Sequence, residues 1–141
     1  MSCHNAKEHI KDVVSKYPNA VLATIDENGY PGLRIMYTVL LDEDMTLYFM
    51  TNKMCTKCRQ IEANSKVAIQ WTNPETWECV DYKGTARIAD EAVLREKLWN
   101  DAFSKYFTGA DDPNLAILEI KPDSVAYCCD MGQCVEQLDL S

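Results

Sequence analysis

The chain has 141 residues, a formal net charge of −8, and 47% hydrophobic and 26% charged residues. That length suits a single domain over residues 1–141 with a real hydrophobic core, and the composition is that of a soluble globular protein. The acidic balance argues against general nucleic-acid binding, and no apolar stretch nears the roughly 18 residues of a membrane span.

The start, MSCHNAKEHIKDVV, lacks the apolar region of a signal peptide, so a cytoplasmic location is expected. In that setting the seven cysteines read as thiols or ligands rather than a disulfide framework. Ile10, Val13, Val14 and Tyr17 follow helical spacing over residues 6–17, and Pro18-Asn19 ends that helix. A strand over 20–25, the turn Asp26-Glu27-Asn28-Gly29 and a long strand over 32–41 predict a hairpin. Asp42-Glu43-Asp44 breaks the long strand before a partner strand over 45–51.

A helix over about 54–64 is followed by a strand over 67–72, a turn at Asn73-Pro74-Glu75 and a strand over 77–89. Gly84 within that strand marks a bulge or a close backbone approach. Asp90 is placed to cap a helix over 91–106 with Val93, Leu94, Leu98, Ala102 and Tyr106 on its buried face. Strands over 115–121 and 124–130, separated by Pro122-Asp123, complete the chain. About six strands joined by short turns, with three helices, predict an α+β fold: an antiparallel barrel with peripheral helices.

One stretch stands apart in this acidic chain. LYFMTNKMCTKCRQIEANSKV, residues 47–67, carries Lys53, Lys57, Arg59 and Lys66 against the single acid Glu62, where a strand feeds a helix. A helix N-terminus offers unpaired N–H groups and the positive end of the helix dipole to a phosphate. Thr51, Asn52 and Thr56 add polar donors there, Lys53 and Lys57 add charge, and Arg34 would join them if residues 32–41 pair with 45–51. The same residues also suit a solvated basic helix following a core strand, and spacing alone leaves both readings open.

Four blocks in order are more specific: ATIDENGYPGLRIM, LYFMTNKMCTKCRQIEANSKVAI, YKGTARIAD and YFTGADDPNLAILEIKPDSVAY. Together they resemble the FMN-binding split barrels related to pyridoxamine 5'-phosphate oxidase, in the general stress protein branch. The resemblance runs from about residue 9 to 130, and Asp111-Asp112-Pro113 is its most branch-specific part. It implies a six-stranded antiparallel split β-barrel and FMN as cofactor. It also implies a homodimer with FMN at the subunit interface.

Carried over by position, the flavin-binding strand falls on Arg34, Ile35 and Met36, and the strand end that meets the flavin on Phe49, Met50 and Thr51. The phosphate region falls on Thr56 and Lys57, with Asn52 and Lys53 beside it. Some relatives have arginine where Thr56 stands, and a polar cross-subunit position falls on Cys79. Among the large rings Trp71, Trp77, Trp99 and Phe107, the resemblance favours Trp99 or Phe107, from the other subunit, as the flavin's apolar wall.

The implied activity is flavin-mediated electron or hydride transfer to a small substrate. The alternative is a non-catalytic flavin-binding stress protein. No catalytic base stands out, and His4 and His9 read as solvated surface residues. The ending GQCVEQLDLS has no arginine, so pyridoxamine phosphate oxidation is not the expected activity. Cys55-x-x-Cys58 and the group Cys128, Cys129 and Cys134 form a weak metal signal, and no metal site is predicted. Redox sensing by the C-terminal cysteines is a further reading.

Overall fold

Helix α1 (Ala6–Lys16) buries Ala6, Ile10, Val13 and Val14, the face that its apolar spacing predicts. The computed structural model describes residues 5–129, 131 and 133–140, so His4 lies outside the described residues. Pro18 prevents further helix, and the Tyr17 N–H closes the last turn on the Val13 carbonyl at 2.9 Å. His9 departs from expectation. Its ring lies 4.9 Å from that of Tyr127, and its buried Nδ1 has no hydrogen-bond partner among the described residues.

Strands β1 (Asn19–Ile25) and β2 (Pro31–Tyr37) form the predicted hairpin, with Val21 opposite Ile35. The Asp26 carboxylate accepts the N–H groups of Asn28 and Tyr30 at 2.9 Å each, and Gly29 takes φ of +84°. The long strand expected over 32–41 is in fact two. Thr38 breaks it, donating its N–H to Pro18 and accepting the Trp71 indole N–H at 2.9 Å. The chain then starts β3 (Leu40–Leu41), which pairs with β4 (Leu47–Asn52). Arg34 therefore lies opposite Leu22, not beside Thr51 by strand pairing.

Helix α2 (Thr56–Ala63) precedes β5 (Lys66–Thr72) and β6 (Cys79–Ala89). Helix α3 (Ala92–Leu98) follows, then a 3₁₀ turn (Asp101–Lys105), β7 (Leu115–Cys129) and β8 (Cys134–Gln137). The sheet order is β2-β1-β5-β6-β7-β4-β3, with β8 on β7, and every pairing is antiparallel. The result is a curled sheet, a split barrel of eight strands among the described residues rather than six.

Two expected boundaries are absent or moved. Pro122-Asp123 does not turn the chain, because β7 runs straight through it; Pro122 sits opposite Gly84, where the β6–β7 register shifts. A proline is tolerated at such an irregularity because no ladder donor is needed there. The helix expected over 91–106 breaks at Trp99, whose backbone is extended, and the Asn100 side chain caps the following turn. Val93 and Tyr106 are consequently exposed, and Asp90 pairs with Arg95 instead of capping α3.

The core lies inside the curl, with Trp71, Tyr82, Phe49, Leu118 and Ile120 fully enclosed. Each such side chain contributes roughly 1.5–3 kcal/mol by leaving water. Tyr82 also ties β7 to the turn before β4: its hydroxyl lies 2.5 Å from the Met45 carbonyl oxygen and 2.9 Å from that of Ile120. Gly84 permits this packing, since a Cβ there would stand 2.5 Å from the Lys121 carbonyl oxygen and 2.8 Å from the Tyr82 ring. Gly84→Ala is expected to destabilise the fold by about 1–3 kcal/mol, as overpacking does. Urea unfolding measures it, and an unchanged midpoint would contradict the close approach.

Candidate functional site

Strand β4 ends at the rim of the barrel, and its last residues face two environments. On one side, Met50, Thr51 and Asn52 line a cleft of about 890 Å³ together with Tyr37, Phe103 and Phe107. That volume and the aromatic lining are those of a small-molecule site. On the other side, the Thr51 hydroxyl accepts a hydrogen bond from the Lys57 ammonium at 2.7 Å. Thr51 thus joins the cleft to the start of α2.

The N-cap of α2 is Cys55, whose side chain makes no capping hydrogen bond. Ser, Thr, Asp or Asn would usually close that turn; here the Cys58 N–H closes it on the Cys55 carbonyl at 3.2 Å. The Lys57 ammonium also approaches the Cys55 sulfur at 3.3 Å, and the Cys58 sulfur lies 3.5 Å from it. Burial opposes ionisation of Cys55. Hydrogen bonds from the Thr51 hydroxyl, the Cys58 backbone and thiol, and Lys57 outweigh it and hold the thiol at about 7. Burial pushes Cys58 the other way, to about 12, and the neighbouring Cys55 adds to the push.

Arg34 approaches from β2. Its guanidinium donates to the Thr24 hydroxyl at 2.7 Å and to the Leu22 carbonyl at 3.2 Å, and reaches the Gln60 side chain at 3.4 Å. Burial lowers its pKa and the nearby Cys55 charge opposes that shift, so Arg34 lies within electrostatic range of the α2 N-terminus. Met36 shares its strand face but is buried in the core, while Ile35 points outward and is 72% exposed.

The remaining expected residues divide. Phe49 is enclosed in the core. Lys53 lines a separate hollow with Asp90, its backbone N–H bonded to Asn114 at 2.7 Å. Thr56 lines a further hollow beside Arg59 and Gln60. Phe107 reaches the cleft from the same chain, whereas Trp99 stacks edge-on against Phe103 at 6.1 Å. Trp71 is core and Trp77 is exposed. No disulfide joins the described cysteines, and Cys128 pairs across strands with Cys79 rather than grouping only with its chain neighbours. Cys79, Asp81 and Cys128 bring their ligand atoms within 4.8 Å of one another.

Arg95 escaped the sequence reading. It is 9% exposed and borders a separate hollow with Lys53, Asp90 and Ala110, behind the segment that carries Phe103 and Phe107 into the cleft. Its guanidinium donates to the carbonyls of Ala110, Asp112 and Leu115 at 3.1, 3.0 and 2.6 Å, and to Asp90 at 2.7 Å. Asp112 secures the same loop by accepting the N–H groups of Thr108 and Asn114 at 2.8 Å each, and these bonds hold its carboxyl below the usual range. A lone arginine in a helix carries no spacing signal, although the run Asp111-Asp112-Pro113 marked the loop that it binds.

This curled antiparallel sheet with an aromatic cleft at the end of β4 defines a split-barrel protein. A family model described as pyridoxamine 5'-phosphate oxidase matches residues 6–129, and the chain belongs to that family. It is 32% identical over 132 residues to General stress protein 26 of Bacillus subtilis (strain 168), covering 89% of each chain. A Clostridium acetobutylicum protein described as related to general stress protein 26 superposes with a TM-score of 0.83 at 22% identity, covering 94% of each chain. A pyridoxamine 5'-phosphate oxidase-related, FMN-binding protein from Nostoc punctiforme gives 0.69 at 19% identity, covering 99% of this chain and 100% of that one.

Removing the Arg95 guanidinium takes a charged donor from three backbone carbonyls, of which that of Asp112 keeps the Leu115 N–H at 3.1 Å. Arg95→Leu is expected to cost about 3 kcal/mol in urea unfolding, and Arg95→Lys to recover only part of it. Equal stability of both variants with the parent would remove Arg95 from this role.

Proposed function

We propose that this chain binds FMN and passes electrons or a hydride between the flavin and a small substrate. The observation that carries the reading is the Lys57–Thr51 pair, set where the aromatic cleft meets the start of α2. An ammonium and a hydroxyl at the positive end of a helix dipole form a donor set that fits a phosphate monoester. Met50, Tyr37 and Phe107 supply the apolar walls that a flat tricyclic ring needs. Family membership and the FMN-binding relative support the same ligand.

In this reading Lys57 and Thr51 hold the phosphate, Thr56 begins the helix that points at it while its side chain borders the neighbouring hollow, and Asn52 and Met50 border the ring. Arg34 contributes positive potential from β2. Bound flavin supplies the redox chemistry, and the protein supplies position, electrostatics and exclusion of water. FMN rather than FAD is expected, because the chain has no G-x-G-x-x-G fingerprint for a dinucleotide.

Lys57→Ala tests the seat. Loss of one charge-assisted contact is worth about 1.5–3 kcal/mol, so FMN affinity should fall about tenfold to a hundredfold by fluorescence titration. Unchanged affinity would place the phosphate elsewhere. Reduction of the bound flavin by NADH or NADPH, followed by reoxidation with candidate acceptors, separates an oxidoreductase from a flavin carrier.

We also infer a homodimer. Leu33, Ile35 and Tyr37 lie exposed along the outward face of β2, with Val21 beside Ile35 on β1. An unbroken apolar stripe of this kind suits an isologous contact with a second copy. Light scattering should give a dimer for the parent chain at micromolar concentration and a monomer for Ile35→Lys. A monomeric parent would refute the assignment.

A further inference from the structure

We propose that Cys55 and Cys58 form a thiol–disulfide exchange site, with Cys55 as attacking sulfur and Cys58 as resolving sulfur. Its substrates are low-molecular-weight disulfides. The inference does not require that flavin binds, although both sites draw on Lys57 and Thr51. Its first support is placement. Cys55 occupies the N-cap of α2, half-buried and reachable, while Cys58 is buried one turn on. The two sulfurs are 3.5 Å apart, close enough that little movement separates them from a bond.

The second support is the charge around them. Lys57 and Cys58 on α2, Thr51 on β4 and Arg34 on β2 all act on Cys55, and the cations and hydrogen-bond donors among them favour its thiolate. The α2 dipole acts in the same direction. Cys58 sits in the opposite regime, kept protonated by burial, by the Cys55 charge and by Glu62. One sulfur is thus poised to attack, and the other is held in reserve.

The exchange balances as follows. The Cys55 thiolate attacks one sulfur of R–S–S–R, forming a Cys55–S–S–R bond and expelling R–S⁻. Cys55 then carries no charge, which removes part of what kept Cys58 protonated. The departing thiolate or solvent takes the Cys58 proton. The Cys58 sulfur attacks Cys55, the bond to R breaks, and a second R–S⁻ leaves. The dithiol is oxidised by two electrons, and the small disulfide is reduced to two thiols.

Oxidised glutathione is the probe, applied to the reduced full-length chain. Trypsin cleaves after Lys53, Lys57 and Arg59, so an internal disulfide links the peptides 54–57 and 58–59, a product that mass spectrometry identifies. In Cys58→Ser the mixed disulfide should accumulate on Cys55, and in Cys55→Ser neither product should form. The rate at Cys55 should rise about tenfold between roughly pH 6 and pH 8 and level off above, following a thiolate that forms near 7. Peptide mapping of the parent chain needs no variant to fold. Glutathione on Cys58, Cys79 or Cys128 with Cys55 unmodified would overturn the proposal, as would a rate still climbing well above pH 8.

Discussion

The close backbone approach at Gly84 is the constraint from which the geometry of the site follows. There β6 meets β7 without an intervening side chain, and the register shifts by the irregularity that Pro122 requires. Strand β7 can then continue unbroken, pairing first with β4 and later with β8. Because β4 is pinned along its whole length to β7, Thr51 and Asn52 are held at a fixed height on the rim. The α2 N-terminus inherits that position, since only three residues separate it from β4.

At that rim, one ammonium and one hydroxyl serve whichever anion is present. Lys57 and Thr51 now contact the Cys55 sulfur and each other. A phosphate placed there would meet the same donors, so thiolate and phosphate compete for them. The electrostatics of the two proposals are therefore one system seen from two ligands.

Much of the fold was legible because it rests on local signals. Strand-forming residues in β1 and β5, the Asp26–Gly29 turn and the apolar spacing of α1 each state their structure within a few residues. What sequence could not give was set by distant partners. Thr38 ends β2 because Pro18 and Trp71 bind it, and Pro122 fails to turn the chain because Gly84 receives it. At the site, Thr51 and Lys57 were readable as donors at a strand-to-helix junction. The departure of Lys53 toward Asp90 was not, since it depends on how the chain leaves β4. Arg95 was invisible for the same reason: its partners are carbonyls, which every residue has.

Arg95 also fixes what lies between its partners. It grips Asp90 before α3 and the backbone from Ala110 to Leu115 after the 3₁₀ turn, so both ends of the intervening segment are anchored by one side chain. The entropy of closing that loop is then largely set by the anchor, and changes with segment length only logarithmically. Residues 99–109 form an exchangeable panel, able to vary in length and ring content while the sheet behind it stays the same. Selectivity of the cleft can be retuned on that panel alone, without disturbing the barrel.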